Sequence, residues 1–264
     1  MLSNDNRVKR QLEKGEVPVG IVCRTLSPAV VELVGLAGFD FVWLDMEHST
    51  ADFAMIENLC RAADAVGLES LVRIPDRSPS NVLRALEAGA AIVNVPQVNT
   101  REEAEAVVRA AKFAPQGERG LSPSSRGMRY GMLREEDPYA AANRRVMTMV
   151  QIESVQAVKN IEAICSVKYL DSVFIGLADL SQSLGIPGQT TDKRVTESVR
   201  HVIQAASTAG KTVMIIADSP ASASEWLSQG ATMLCCGVDV PMIGNFLQQK
   251  RAGYNSASSR SAGK

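Results

Sequence analysis

The chain has 264 residues, of which 45% are hydrophobic and 22% charged, so it carries enough apolar material for a large core. Its formal net charge is −1 and its basic residues are spread along the chain, which removes the electrostatic basis for nucleic-acid binding. No apolar run approaches the roughly 20 residues of a membrane-spanning helix, and residues 1–14 are too polar for a signal peptide. We therefore expect a cytoplasmic protein that acts away from membranes, with its five cysteines reduced.

Eight apolar runs rich in β-forming residues recur along the chain, and each has the length of one buried strand. In chain order they are residues 18–24, 41–47, 71–75, 91–98, 146–153, 172–179, 212–217 and 232–238. Their nearly continuous apolar character is typical of strands that are covered on both faces.

Segments with the periodicity of amphipathic helices separate these strands. They are residues 28–36, 53–66, 79–88, 101–112, 155–165, 195–209 and 221–229. Several end at a glycine, which is the residue that most often stops a helix before the next strand.

Eight strand-then-helix units in about 240 residues predict a (β/α)₈ barrel, the TIM-barrel fold, folded as a single domain. The alternative is a doubly wound open sheet, but the glycine-rich fingerprint that such a sheet carries after its first strand is missing. The barrel is the favoured fold.

The barrel is expected to occupy residues 15–250. Residues 1–14 are expected to form a short helical extension that closes its base. Residues 251–264, rich in Ser, Ala and Gly, are expected to form a disordered tail. The longest irregular connection, 115–138, has no assigned place.

Two of the predicted strands end in a carboxylate, Glu153 and Asp179. If those strands are parallel neighbours, both acids emerge at the same edge, about 4.8 Å apart. That arrangement suits a divalent cation, although either acid alone could instead cap the helix that follows it.

Other strand ends carry polar side chains that are suited to binding a small anion. Arg73 follows the third strand, and Gln151 shares a face with Glu153 because strand residues alternate. His48 follows the second strand, where Asp45 could fix its tautomer and make it a general base. The alternatives are a purely structural histidine and an ion pair of Arg73 with Asp45 or Glu47.

Taken together, these segments resemble the HpcH/HpaI aldolase family. The similarity runs over residues 15–250, and the motifs that carry it occur in the family's order. They are Phe41-Val42-Trp43-Leu44-Asp45-Met46-Glu47-His48, Leu71-Val72-Arg73, Asn94-Val95-Pro96-Gln97, Glu118-Arg119-Gly120, Gln151-Ile152-Glu153, Gly176-Leu177-Ala178-Asp179 and Gly237-Val238-Asp239. One departure is Leu177, which stands where the family usually has proline.

The resemblance implies a metal-dependent aldolase that cleaves a 4-hydroxy-2-oxo acid, of dicarboxylate or sugar-acid type, to pyruvate and an aldehyde. It implies that Glu153 and Asp179 bind Mg²⁺, Mn²⁺ or Co²⁺. Arg73, Gln151 and the strand-six exit at Ala178 and Asp179 would hold the 2-oxo acid.

The same resemblance makes His48, oriented by Asp45, the catalytic base, with Arg73 beside it. It also implies a homo-oligomer, a hexamer in which the last helix packs on a neighbour.

Two other interpretations stay open from the sequence. One is a related metal-enolate lyase or a carbon–carbon bond-forming enzyme that uses oxaloacetate. The other is a non-catalytic barrel that binds a 2-oxo acid. A Schiff-base aldolase is disfavoured, because no lysine stands at a predicted strand exit.

Overall fold

The computed structural model describes residues 5–132 and 135–261. Eight parallel strands are hydrogen-bonded in chain order, and the last pairs with the first to close a barrel. The strands are β1 (Val19–Cys23), β2 (Phe41–Asp45), β3 (Glu69–Arg73), β4 (Ile92–Val95), β5 (Met147–Ile152), β6 (Ser172–Ile175), β7 (Thr212–Ile216) and β8 (Met233–Val238). Closure confirms the predicted (β/α)₈ barrel and rules out the open sheet.

The helices surround the barrel and begin at polar caps such as Asp52, Ser78 and Thr100, whose side chains accept hydrogen bonds from the first turn. They are α1 (Arg7–Glu13), α2 (Pro28–Leu36), α3 (Phe53–Ala65), α4 (Pro79–Ala88), α5 (Arg101–Ala111), α6 (Pro138–Arg145), α7 (Val155–Lys159), α8 (Ile161–Cys165), α9 (Leu177–Ser183), α10 (Lys193–Thr208), α11 (Pro220–Ser228) and α12 (Asp239–Ser261). The helix predicted over 155–165 is two short helices that meet at Asn160.

The apolar side chains form two layers, one between strands and helices and one inside the barrel. Inside, the Trp43 and Phe174 rings pack edge to face with centroids 4.7 Å apart, and Met149 and Met214 fill the space around them. Every residue of β2 is buried. This double burial explains why the strands appear in the sequence as continuous apolar runs.

Helix α1 covers the base of the barrel, the end at which the strands begin. Its Val8 is fully buried against the inner layer. The Asn6 side chain, just before the helix, donates to the carbonyls of Ala91 and Arg145 at 3.2 and 3.1 Å. These bonds join the N-terminal segment to the starts of β4 and β5.

The long connection 115–138 is also anchored at the base. It contains a short 3₁₀ segment, Arg126–Gly131, whose Arg126 donates to the Ala88 carbonyl at 2.8 Å and pairs with Asp64. Residues 133 and 134 lie outside the described part. The connection is therefore tied to the opposite end of the barrel from the strand exits.

The C-terminal segment differs from the expectation. Helix α12 continues to Ser261 where the sequence predicts a disordered tail from residue 251; residues 262–264 lie outside the described residues. Each residue added to a nucleated helix gains one backbone hydrogen bond, so the helix continues through this stretch despite the low helix propensity of its Ser and Gly residues.

Membrane association was not expected from the sequence. In the part of the chain that the structure describes, no helix combines the length and apolar character that crossing a bilayer requires.

Candidate active site

The carboxyl ends of β2 and β3 place a carboxylate beside a guanidinium. Asp45 and Arg73 are register partners, and Arg73 donates from Nε and Nη2 to the two carboxylate oxygens at 2.9 and 2.7 Å. The Asp45 side chain is fully buried and that of Arg73 is 6% exposed. Burial raises the pKa of Asp45, but the hydrogen bonds and charge of Arg73 outweigh it and hold that pKa below its usual value.

This pairing corrects the expected role of Asp45. The carboxylate was expected to hold the His48 imidazole, but it accepts from the backbone N–H groups of Glu47 and His48 at 3.1 and 3.3 Å. Its side-chain partners are Arg73 and Arg24. The cause is the strand register, which sets Asp45 directly opposite Arg73 while the chain turns away at His48. The ion-pair alternative for Arg73 is therefore the one the structure shows.

The His48 side chain is half exposed and borders the cavity described below. Its nearest carboxylate is Glu47, with Nε2 and Oε2 3.8 Å apart. The same Glu47 oxygen lies 3.1 Å from Nη1 of Arg73, an ion pair without the alignment of a hydrogen bond. Glu47 therefore connects the histidine to the arginine, a role that the sequence did not assign.

Glu153 and Gln151 leave the end of β5 on the same side, as strand alternation predicts. The Gln97 backbone N–H donates to Glu153 Oε1 at 2.6 Å, and the Gln151 amide donates to Oε2. Burial, and after it the negative charges of Asp179 and Glu47, raise the pKa of Glu153 to about 7, although the Gln97 hydrogen bond opposes them. Glu153 is thus a buried acid with like charges beside it.

Asp179 lies in the first turn of α9, immediately after β6. Gly176 leads into that helix, and its N–H donates to the Ile152 carbonyl at 3.0 Å. A Cβ at Gly176 would lie 3.0 Å from the Glu153 Cβ and 3.1 Å from the Gln151 amide nitrogen. The absence of a side chain there leaves room for the Glu153 carboxylate.

A cavity of roughly 530 Å³ opens among these strand ends. Its lining includes Arg73, Gln151 and the segment from Gly176 to Asp179, together with His48 and Arg24. Gln151, Ala178 and Asp179, predicted from separate motifs, therefore meet in one space. Sequence reasoning missed Arg24, although a charged residue directly after the apolar run of β1 is the same signal that drew attention to Arg73.

The donors at this edge fit a hard divalent cation better than a zinc site. The described residues contain no group of three or more His, Cys, Asp or Glu side chains arranged to hold a metal. Two carboxylates, Glu153 and Asp179, suffice for Mg²⁺, which retains water and substrate oxygens as its other ligands. A cation would also relieve the charge repulsion that raises the pKa of Glu153.

Comparison with known proteins identifies the family of this chain. Residues 21–245 match the model of the HpcH/HpaI aldolase/citrate lyase family. The chain belongs to that family. A 5-keto-4-deoxy-D-glucarate aldolase from Klebsiella pneumoniae subsp. pneumoniae is 33% identical over 244 residues, which cover 92% of this chain and 94% of the relative. The protein is accordingly an enzyme of the carbon–carbon lyase class.

Two solved structures resemble this chain in three dimensions. The citrate synthase SbnG superposes with a TM-score of 0.88 at 31% identity, covering 96% of this chain and 98% of its own. The citrate lyase beta subunit from M. tuberculosis, solved with oxaloacetate and magnesium, has a TM-score of 0.56 at 16% identity and covers 83% of this chain and 91% of its own. The second likeness shows a shared fold only.

Proposed function

We propose that this HpcH/HpaI-family enzyme cleaves a 4-hydroxy-2-oxo acid of dicarboxylate or sugar-acid type to pyruvate and an aldehyde, with a divalent metal ion as cofactor. The observation that carries the proposal is the buried Glu153 carboxylate, which accepts from the Gln151 amide and whose pKa is raised in part by the charge of Asp179. Gln151 and Asp179 line the cavity together with Arg73. Acids that repel one another next to anion-binding side chains are suited to a cation that is shared with an anionic substrate.

Glu153 and Asp179 would hold the cation, which we propose to be Mg²⁺, Mn²⁺ or Co²⁺. Carboxylate oxygens are the ligands these ions prefer. When bound, the ion supplies Lewis-acid polarisation of the 2-oxo group.

The protein's own groups then orient the substrate. Arg73 uses Nε and one hydrogen of Nη2 on Asp45, so its remaining N–H groups can bind the 2-oxo acid. Gln151 and the backbone N–H groups of Ala178 and Asp179 would complete the binding of that end. Arg73 is held rigidly by its buried ion pair, and its guanidinium also lies 5.0 Å from the Trp43 ring centroid.

His48 would accept the proton of the C4 hydroxyl, directly or through one water. As that proton leaves, C4 becomes the aldehyde carbon, the C3–C4 bond breaks, and its electron pair forms the enolate of pyruvate. A proton returned to C3 completes pyruvate. We assign the positioning of the imidazole to Glu47 rather than to Asp45, because Glu47 is the carboxylate that approaches it.

The assembly and the cellular location are part of the same proposal. Helix α12 exposes a run of apolar side chains, Val240, Met242, Ile243, Phe246 and Leu247, which supports a homo-oligomer, a hexamer by the family resemblance. All five cysteines are free thiols, in keeping with the cytoplasm as the site of action.

A metal-dependence assay tests the proposal. A panel of 4-hydroxy-2-oxo acids is incubated with the protein, and pyruvate release is measured with EDTA and then with added Mg²⁺, Mn²⁺ or Co²⁺. We expect EDTA to abolish release and the metal to restore it. Borohydride with pyruvate should leave the enzyme active; trapping of a covalent adduct would reject the mechanism, because the proposal has no amine nucleophile.

The His48→Gln variant tests the assigned base. We expect turnover to fall by roughly 10² to 10⁴-fold, while the affinity for the metal ion stays within about twofold of the wild type, since the imidazole is not among the proposed ligands. Unchanged turnover would remove His48 from the mechanism.

The similarity to the citrate synthase SbnG favours one second candidate, a carbon–carbon bond-forming or lyase reaction on oxaloacetate. Oxaloacetate decarboxylation without aldol turnover across the aldehyde panel would support it. Tight metal-dependent oxalate binding with no turnover of any kind would instead point to a binding protein.

A further inference from the structure

Arg24, the first residue after β1, is fixed at the cavity by the start of α12. The buried Asp239 carboxylate accepts from the backbone N–H groups of Arg24 and Thr25 at 2.8 and 3.1 Å, and from the Thr25 hydroxyl. Three hydrogen bonds to one carboxylate hold this short segment in a single backbone conformation. The Arg24 side chain therefore projects from a rigid base.

The guanidinium of Arg24 uses only one edge of its hydrogen-bonding surface on the protein. Its Nε donates to Asp45 Oδ2 at 3.2 Å, although Asp45 already has a bidentate partner in Arg73. Among the residues that the structure describes, Nη1 and Nη2 of Arg24 have no acceptor. The side chain is 38% exposed and lines the same cavity as Gln151 and Asp179.

That unused edge has the geometry of a carboxylate receptor. Two parallel N–H groups from Nη1 and Nη2 match the two oxygens of a carboxylate, and such bidentate pairs are among the strongest hydrogen-bonded contacts in proteins. Arg24 and Arg73 share Asp45, so the positive charge of the pair is only partly neutralised by it. Glu47 contacts Arg73 and not Arg24, which leaves Arg24 the less compensated of the two.

Arg24 shares Asp45 with Arg73, but it lies across the closed barrel from the groups that would hold the cation and the other end of the 2-oxo acid. Glu153 and Asp179 follow β5 and β6, whereas Arg24 follows β1, two strands beyond β7 in the closed sheet. The intervening wall carries Asp218, Ser222 and Thr190, polar groups that can accept bonds from substrate hydroxyls. A chain bound at one end by Gln151 would extend past this wall toward Arg24.

We propose that Arg24 binds the carboxylate at the far end of the substrate, and thereby selects 4-hydroxy-2-oxo dicarboxylates whose aldehyde product carries its own carboxylate. This assignment rests on the proposed aldolase function and adds to it a specificity-determining residue. Asp239 serves as its positioning residue, since it bonds the Arg24 backbone and does not itself line the cavity.

The test is the aldol condensation of pyruvate with two aldehydes of equal carbon number, succinic semialdehyde and butanal, which differ in the terminal carboxylate. The readout is the ratio of the two kcat/KM values, so that a loss common to both aldehydes cancels. For Arg24→Gln we expect this ratio to fall by roughly tenfold to 100-fold, as for the loss of a charge-assisted bidentate contact. Arg24→Lys keeps the positive charge but loses the paired N–H groups of the guanidinium, so its ratio should lie between those of the wild type and Arg24→Gln.

Arg200→Gln is the matched control, because Arg200 is exposed on α10. Its ratio should equal that of the wild type. Hydrogen–deuterium exchange at the methyl group of pyruvate, followed by NMR in D₂O, reports enolate formation without any aldehyde and is measured for every variant.

These measurements test the aldolase function and the role of Arg24 separately. Wild-type protein that exchanges the pyruvate methyl protons but prefers butanal, or an Arg24→Gln variant that loses both aldehydes equally, would overturn the role of Arg24 and leave the aldolase function standing. Absence of exchange in the metal-loaded wild type would overturn the proposed function and this inference with it. A fall confined to the ratio supports Arg24 as the receptor.

Discussion

The two ends of the barrel hold their buried charges in different ways. At the base, Asp171 pairs with Lys9 at 2.8 Å and lies 3.6 Å from Lys112, and the Lys112 ammonium also donates to two buried carbonyls. At the exit edge, Glu153 has no cationic partner in the part of the chain the structure describes, and lies near other acids.

The pKa values of Asp171 and Glu153 differ in direction for this reason. Burial raises the pKa of Asp171, but Lys112 and Lys9 outweigh it and hold that pKa below its usual value. Burial and like charges raise the pKa of Glu153 to about 7. Glu69 at the base is an exception, since burial raises its pKa despite the bond from the Arg7 N–H. The base satisfies most of its charges internally, whereas the exit edge leaves charge for a ligand.

The largest effect should follow removal of the unpaired acid, in Glu153→Gln. We expect aldol turnover to fall by roughly 10³-fold, as when one electrostatic stabiliser is removed from an active site. Stability should drop by only about 1 kcal/mol, since one of the two N–H donors loses its acceptor. Turnover assays measure the first effect and urea unfolding the second. Activity above a tenth of that of the wild type would show that Glu153 is not needed for catalysis.

Arg73→Lys should have the next largest effect, because it changes both a substrate-binding group and a buried ion pair. Lysine keeps the charge but cannot reproduce the bidentate contact with Asp45, so turnover should fall by roughly 10²-fold and stability by about 2 to 4 kcal/mol. Urea unfolding and pyruvate release measure these changes. Equal stability of variant and wild type would mean that the pair contributes nothing net.

Lys112→Met tests whether the base is structural only. The substitution keeps the volume but leaves the Asn143 and Val146 carbonyls without their donor, which should cost about 2 kcal/mol in unfolding free energy. Turnover of the folded protein should stay within about twofold. A large loss of turnover at unchanged stability would break the division between the two ends.

Gly176→Ala probes the space around Glu153. The added Cβ would press on Glu153 and Gln151 at distances of 3.0 to 3.2 Å, so we expect turnover to fall by roughly tenfold as these side chains shift. Gly120→Ala is the control, because its Cβ would meet only Leu83 at an ordinary 3.6 Å. Similar activity of the two variants would show that the site tolerates the displacement.

The smallest effect is the pH dependence of the metal-free protein. The folded pKa of Glu153, about 7, exceeds its ordinary 4.5, so its ionisation should lower stability as pH rises from about 4.5 to about 7. The folded pKa of Asp171 lies below 3.8. Its stabilising contribution should therefore be complete above that value and be lost as pH falls further.

Melting curves in EDTA from about pH 3 to pH 8 compare wild type, Glu153→Gln and Asp171→Asn. We expect the melting temperature of Glu153→Gln to rise relative to that of the wild type as pH approaches 7. The melting temperature of Asp171→Asn should lie below that of the wild type at neutral pH and equal it in acid. Added Mg²⁺ should restore wild-type stability near neutral pH. Parallel profiles for all three proteins would contradict the assigned pKa directions.

Much of this architecture could be predicted from local patterns. Strands that are covered on both faces have continuous apolar runs, and helix stops at glycine separate them, so all eight strands and their order were predicted correctly. Short α9 was missed, since two turns carry too little periodicity to distinguish a helix from a strand exit. The extension of α12 was missed because composition alone does not show where a nucleated helix ends.

The sequence by itself determined which residues stand at strand ends, because burial dictates apolar runs and a charged residue that ends one must leave the core. Only the tertiary structure decided which of these residues meet. Register set Asp45 opposite Arg73 and away from the His48 ring, and the pairing of β1 with β2 brought Arg24 beside Asp45. Barrel closure, which pairs β8 with β1, brought Asp239 to the Arg24 backbone. Such pairings depend on hydrogen-bond register and on the closing of the sheet, which no local pattern encodes.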